Sequence, residues 1–152
     1  MPNYFVDNTT QKIRIIAINQ YDNACYGGQG LSGRIGQTHA TWLCNTLLST
    51  PTGYGVIIIM HSPEDAITVP EGLEAFNQSK TYDGGDYAGN AAYCSSVRPI
   101  EKIVDGFISR TAISFTYTEN TSTGNNGETV TIDADFSAVD STTEFLCYMT
   151  GH

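Results

Sequence analysis

The segment QTHATWLCNTLLSTPTGYGVIIIMHSP, residues 37–63, decides the fold. Within Gln37–Ser49, Ala40, Leu43, Cys44, Leu47 and Leu48 recur at i, i+3, i+4, i+7 and i+8. That spacing puts them on one face of an α-helix. Trp42 lies off this stripe, so it is expected to pack on a neighbouring segment or to mark an interface. Pro51-Thr52-Gly53 stops the helix. Tyr54–Met60 is then a wholly apolar run of the length expected for a buried strand. Upstream, Ile13, Ile15, Ile16 and Ile18 make Lys12–Ile18 a second strand, expected to be buried on both faces. A strand, a helix and a strand in succession predict parallel α/β construction.

The rest of the chain extends this unit. Tyr4–Val6 reads as a strand joined to the second by the polar turn Asp7–Gln11, and Tyr21–Gly36 as a Gly- and Asn-rich loop. The pattern weakens from Glu64 to Asn90, where Pro70 opens at most a short helix through Leu73 and Phe76. Val97, Ile100, Val104, Phe107 and Ile108 restore helical spacing, with Pro99 suited to a first turn. Ile113, Phe115 and Tyr117 alternate, as do Val130, Ile132 and Phe136, which predicts a hairpin around the polar stretch Glu119–Gly127. A last strand, Glu144–Met149, runs into Thr150-Gly151-His152. No repeat or linker divides residues 1–152, so a single domain is expected.

Composition narrows the function classes. A net charge of -9, with only seven basic residues, argues against a nucleic-acid backbone as partner, because affinity there comes from clustered Lys and Arg. No apolar run approaches the roughly 20 residues that span a bilayer. Met1-Pro2-Asn3-Tyr4 lacks the basic and apolar regions of a signal peptide. A cytoplasmic or virion-associated protein fits, with the compartment left open. Cys25, Cys44, Cys94 and Cys147 form no Cys-x-x-Cys pair and are read as free thiols, Cys44 and Cys147 as small core residues on apolar faces.

Two histidines carry the chemistry. His61 follows one apolar strand directly, and His152 follows another after a small-residue turn. Ligands of α/β sheets gather beyond the carboxyl ends of strands. If the two strands are parallel neighbours, both imidazoles serve one crevice, and neutral imidazole binds zinc, iron, nickel or manganese well. Spacing alone leaves open that His61 merely ends a strand and that His152 is only a terminal residue. His39 has no acid or nucleophile at a telling spacing and is read as a solvated helix residue. Ser62 lacks the Gly-x-Ser-x-Gly elbow of a nucleophile and is read as part of the turn into Pro63.

The block Gln37–Pro63 resembles the middle of calcineurin-like metallophosphoesterases, which often place a Gln-x-x-x-x-Trp-Leu helix before a strand ending in His. Gly151-His152 resembles the first half of that family's Gly-His-x-His motif, and the hairpin followed by Ala134-Asp135-Phe136-Ser137 resembles members from phages and gut bacteria. The resemblance covers most of the chain. It implies the C-terminal half of a layered α/β sandwich, with 63–143 as a possible family-specific insertion. It also implies hydrolysis of phosphate esters at a pair of divalent ions of the Mn, Fe, Zn or Ni type, with His61 and His152 as ligands of the same metal.

Departures from the family pattern limit this reading. Asp-x-His, Gly-Asp-x-x-Asp and Gly-Asn-His, which supply the bridging carboxylate, the amide ligand and a catalytic histidine, do not occur. Gly85-Asp86-Tyr87-Ala88-Gly89-Asn90 mimics two of them but packs both pairs into six residues, and Ala91 stands where the family has His. It is read as a turn-rich loop whose Asp83 and Asp86 bind at most an adventitious cation. The chain is therefore expected to be a truncated domain that catalyses nothing alone and holds metal weakly. Within 63–143, Tyr82, Tyr87, Tyr93 and Phe107 are candidates to line a lid, with packing as their other role. An exposed sheet edge predicts a homo-oligomer. The alternatives are a non-catalytic structural or binding module of a phage or surface protein, and a degenerate phosphoesterase domain kept as scaffold.

Overall fold

A computed structural model of the chain describes residues 3–19, 35–60, 99–120 and 126–150. In order, the elements are β1 (Tyr4–Asn8), β2 (Ile13–Ala17), α1 (Gln37–Leu48), β3 (Gly55–Met60), α2 (Pro99–Ser109), β4 (Ala112–Asn120), β5 (Asn126–Asp135) and β6 (Glu144–Thr150). Four strands form one sheet in the order β1-β2-β3-β6, while β4 and β5 form a separate antiparallel hairpin. β2, β3 and β6 are parallel, and β1 is an antiparallel edge strand. The class is α/β, with a mixed sheet and, among the described residues, two helices. Neither helix is long and apolar enough to cross a membrane.

The path of the chain explains where the core sits. The crossovers β2-α1-β3 and β3-α2-β6 step along the sheet in the same direction. Right-handed crossovers that step the same way put both helices on one face. Under the helices, Arg14, Ile16, Val56, Ile58 and Met60 are buried. The alternate residues Ile13, Ile15, Ala17 and Ile57 are half-buried, and Ile59 is exposed. The apolar run of β2 is thus buried on one face only, where the sequence suggested two. The helices also touch the hairpin, α1 through β5 and α2 through β4. One cluster containing Ile16, Leu43, Leu47, Ile103, Phe107 and Phe136 joins sheet, helices and hairpin.

Both helices form where expected, each rotated slightly from its expected stripe. In α1, Ala40, Leu43, Cys44 and Leu47 are buried, but Leu48 is exposed and Thr46 buried in its place. The cause is Arg14, whose Nη1 donates to the Thr46 carbonyl at 2.6 Å and draws that side of the last turn onto the sheet. In α2, Ile103 joins Ile100, Val104 and Phe107 in the core, while Ile108 is exposed. Phe107 packs edge-on against Phe136 at 6.1 Å between ring centroids, so it is a core residue and not part of a lid. Tyr82, Tyr87 and Tyr93 lie outside the described residues. Trp42 is half-buried 6.5 Å from the Phe5 ring, which meets the expectation of a neighbouring segment.

Helix ends are secured from elsewhere in the chain. α2 closes with Thr111 N–H donating to the Gly106 carbonyl and Arg110 N–H to that of Phe107, the paired bonds of a Schellman ending. The left-handed residue there is Arg110, at φ 54°, where glycine is usual. Its guanidinium donates to the Ser141 and Thr143 carbonyls at 2.9 and 3.0 Å, contacts that glycine could not make. At the start of α1, Gly36 offers no side-chain cap. There the Gln37 amide donates to the Thr131 carbonyl at 2.9 Å and accepts from the Thr131 N–H at 2.8 Å, imitating a strand partner for β5. Gln37→Ala should cost about 1 kcal/mol in urea unfolding, since these exposed bonds compete with water. An unchanged midpoint would mean that the pairing contributes nothing.

Candidate metal centre

The site begins with strand register. Met60, the last residue of β3, is paired with Thr150, the last residue of β6, and the two strands run parallel. Adjacent strands lie about 4.8 Å apart. Residue 61 therefore follows one strand end directly, and residue 152 follows its neighbour with only Gly151 between. β2 ends at the same edge, where Ile18 N–H donates to the Ile59 carbonyl at 2.9 Å and Asn19 N–H to Asn3 Oδ1 at 2.7 Å. This is the carboxyl edge of three parallel strands, the position at which α/β sheets bind ligands. His61 and His152 lie outside the described residues, as do Asp83, Asp86 and the Gly85–Asn90 loop.

The donor set decides what this edge can hold. A pair of divalent ions needs several ligands each and an anionic group between them to offset their charge. The described residues of the edge include Asn3, Ile18, Asn19, Met60 and Thr150, with no carboxylate among them. Nor do the described residues contain any group of three or more His, Cys, Asp or Glu placed to hold a metal. Two imidazoles, without a bridging carboxylate, do not fit a complete binuclear centre.

Other chemistry-bearing residues are occupied structurally. His39 is half-buried in the first turn of α1, less solvated than expected. Cys44 is buried, and burial pushes its thiol up to about 11, so it stays protonated and inert. Cys147 is exposed on the face of the sheet away from the helices, not in the core as expected. Cys25 and Cys94 lie outside the described residues. A shallow groove of about 350 Å³ between α2 and β4 is lined by Lys102, Asp105, Ser109, Thr111 and Phe115 among others. Its Ser109 hydroxyl is already bonded to the Asp105 carbonyl and to Thr111, and Lys102 lies over the Phe115 ring.

Sequence reasoning passed over Arg14. It is 3% exposed, pairs through two bonds with Asp7 at 2.7 and 2.8 Å, and stacks 4.2 Å over the Phe5 ring. The signal was present: one cation within an isoleucine strand, opposite an aspartate across a short hairpin. Comparison of the chain with family models, with curated proteins and with solved structures gave no match.

Proposed function

We propose that this chain is the C-terminal part of a calcineurin-like metallophosphoesterase domain, contributing His61 and His152 to one metal of a binuclear centre. The rest of that centre comes from residues outside this polypeptide. The observation that supports the reading is the parallel pairing of β3 with β6, which sets the strand ends leading to the two histidines side by side. Met60 and Thr150, 90 residues apart in sequence and each followed within two residues by a histidine, are paired at the edge where α/β proteins bind ligands. When bound as a pair, such ions activate a water and clamp phosphoryl oxygens. The chain's own part is to supply two imidazole donors that follow, in sequence, the ends of two paired strands. On this reading residues 63–143 are a family-specific insertion, and they include α2 and the β4-β5 hairpin between β3 and β6.

The reading has a direct test. Titration of the chain with Mn²⁺, followed by electron paramagnetic resonance, should show one weakly held ion and no turnover of a p-nitrophenyl phosphate ester. His61→Ala and His152→Ala should each abolish that binding. Binding that survives both substitutions, or no binding at all, removes the metal from the assignment and leaves a structural module. Metal-dependent turnover by this chain, lost in His61→Ala, would instead show that it needs no further ligands. A longer polypeptide from the same gene should carry Asp-x-His and Gly-Asn-His motifs and hydrolyse the ester.

A further inference from the structure

We propose that the face of the four-stranded sheet away from the helices is a self-association surface, occupied by the same face of a second copy of this chain. Strand alternation puts Tyr4 and Val6 of β1, Ile13, Ile15 and Ala17 of β2, and Ile57 and Ile59 of β3 on that side. On β6 a register shift opposite Val56/Ile57 brings both Leu146 and Cys147 to it, followed by Met149. Leu146 lies over Gly55, its Cδ1 2.5 Å from where a Cβ would stand, so the glycine admits this extra apolar side chain. Tyr4, Val6, Leu146 and Met149 are 56, 57, 48 and 53% exposed. Among the described residues nothing covers this surface, because both helices lie on the opposite face.

Its chemistry selects the occupant. The chain has sixteen acidic and seven basic residues, yet among the described residues of this face only Glu144 is charged, and it sits at the rim where β6 begins. A partner with charges there would strand them against isoleucine and methionine. A second copy presents an uncharged surface of the same width, related by a two-fold axis, and two twisted sheets pack face to face about 10 Å apart. Four strands at about 4.8 Å and five residues at about 3.3 Å give a face of roughly 320 Å² in projection. With side-chain relief, two copies bury on the order of 1,200 Å², the lower limit for a specific interface. The dimer is therefore reversible. Each copy carries a net charge of -9, so salt, by screening their repulsion, tightens it, opposite to an interface built on ion pairs. The interface depends on the sheet alone and does not require that His61 or His152 bind metal.

Cys147 reports on this face and Cys44 on the fold, since one thiol is exposed and the other buried. The experiment combines sedimentation velocity across a concentration series with alkylation of the intact chain by N-ethylmaleimide, mapped by peptide mass. Dimer should accumulate with concentration and with added NaCl. Cys147 alkylation should slow at least tenfold as it does, while Cys44 stays slow throughout. Ile59→Lys and Met149→Lys, both on exposed positions, should give monomers in which Cys147 reacts fast and Cys44 remains protected. A monomer at every concentration overturns the proposal, whether Cys147 is open or is shielded by another part of the same chain. A dimer that persists in both lysine variants overturns it too, and points to pairing at the β1 edge.

Discussion

Arg14→Ala should lower the stability of the chain by about 3 kcal/mol, the low end of what breaking a buried ion pair costs, because Asp7 is partly open to water. The guanidinium does three things at once. It closes a two-bond pair with Asp7, and it donates to the Thr46 carbonyl at 2.6 Å and to Ser49 Oγ at 3.0 Å. It also supplies a positive charge to the carboxyl end of α1, whose own last turn has no basic residue. Alanine would leave the Thr46 carbonyl buried without that donor and open a void under Phe5. Urea unfolding at neutral pH measures the loss. A change below about 1 kcal/mol would mean that Arg14 only fills space.

The same pair sets a pH dependence. Hydrogen bonding from Arg14, reinforced by its charge, holds the Asp7 carboxyl below its ordinary value of 3.8. A carboxyl depressed in the folded state stabilises the fold fully above its unfolded pKa, and that contribution disappears as pH falls through the folded one. The native chain should therefore lose stability on acidification below about pH 4. In Arg14→Ala this part of the acid sensitivity should be absent. Asp135 and Asp140 are also held low, by hydrogen bonds from Ser137 and Thr142 respectively, so some acid dependence remains in the variant. The difference between the two acid profiles is the quantity that reports on Asp7.

How far the fold could be read from sequence depended on periodicity. The α1 stripe, the apolar run of β3 and the Pro99 start of α2 are local patterns, and each element formed within a residue or two of its expected bounds. Parallel pairing of β2 with β3 followed from the intervening helix, but its extension to β6 depended on a partner 90 residues away. What periodicity cannot state is which side of an apolar strand will be covered. Ile13, Ile15 and Ile57 read as core, and only the direction of both crossovers shows that neither α1 nor α2 reaches them. The same blindness placed Cys147 in the core. Leu48 was misread because a charged group on a distant strand, not helical spacing, set the rotation of the last turn of α1. Of the candidate site, the sequence offered a shared edge of the two strands only as a condition, which the parallel pairing of β3 with β6 meets, whereas His61 and His152 lie outside the described residues.

Gly106→Ala should destabilise the chain by about 1–3 kcal/mol, the cost of overpacking a core, although intrinsic helix propensity favours the alanine by about 1 kcal/mol. Gly106 lies inside α2, in ordinary helical conformation and buried. A Cβ there would meet Ile113 Cγ2 at 2.5 Å and Phe136 Cδ2 at 3.2 Å. Ile113 Cγ2 is attached to a branched Cβ on β4, so it moves only if the strand moves, and Phe136 is held by its edge-on contact with Phe107. The glycine is therefore the point of closest approach between α2 and the hairpin. Gly55→Ala is the control, because the atoms in its way, Cδ1 at 2.5 Å and Cγ at 2.9 Å, belong to the flexible, exposed Leu146 side chain, which can turn aside, and its effect should be small. The double variant Gly106→Ala/Ile113→Ala should be more stable than the two separate losses would give, since removing Cγ2 makes room for the new methyl. Thermal and urea unfolding of the parent, the three single variants and the double variant decide the matter: a Gly106→Ala variant more stable than the parent would mean that α2 and β4 are not in close contact.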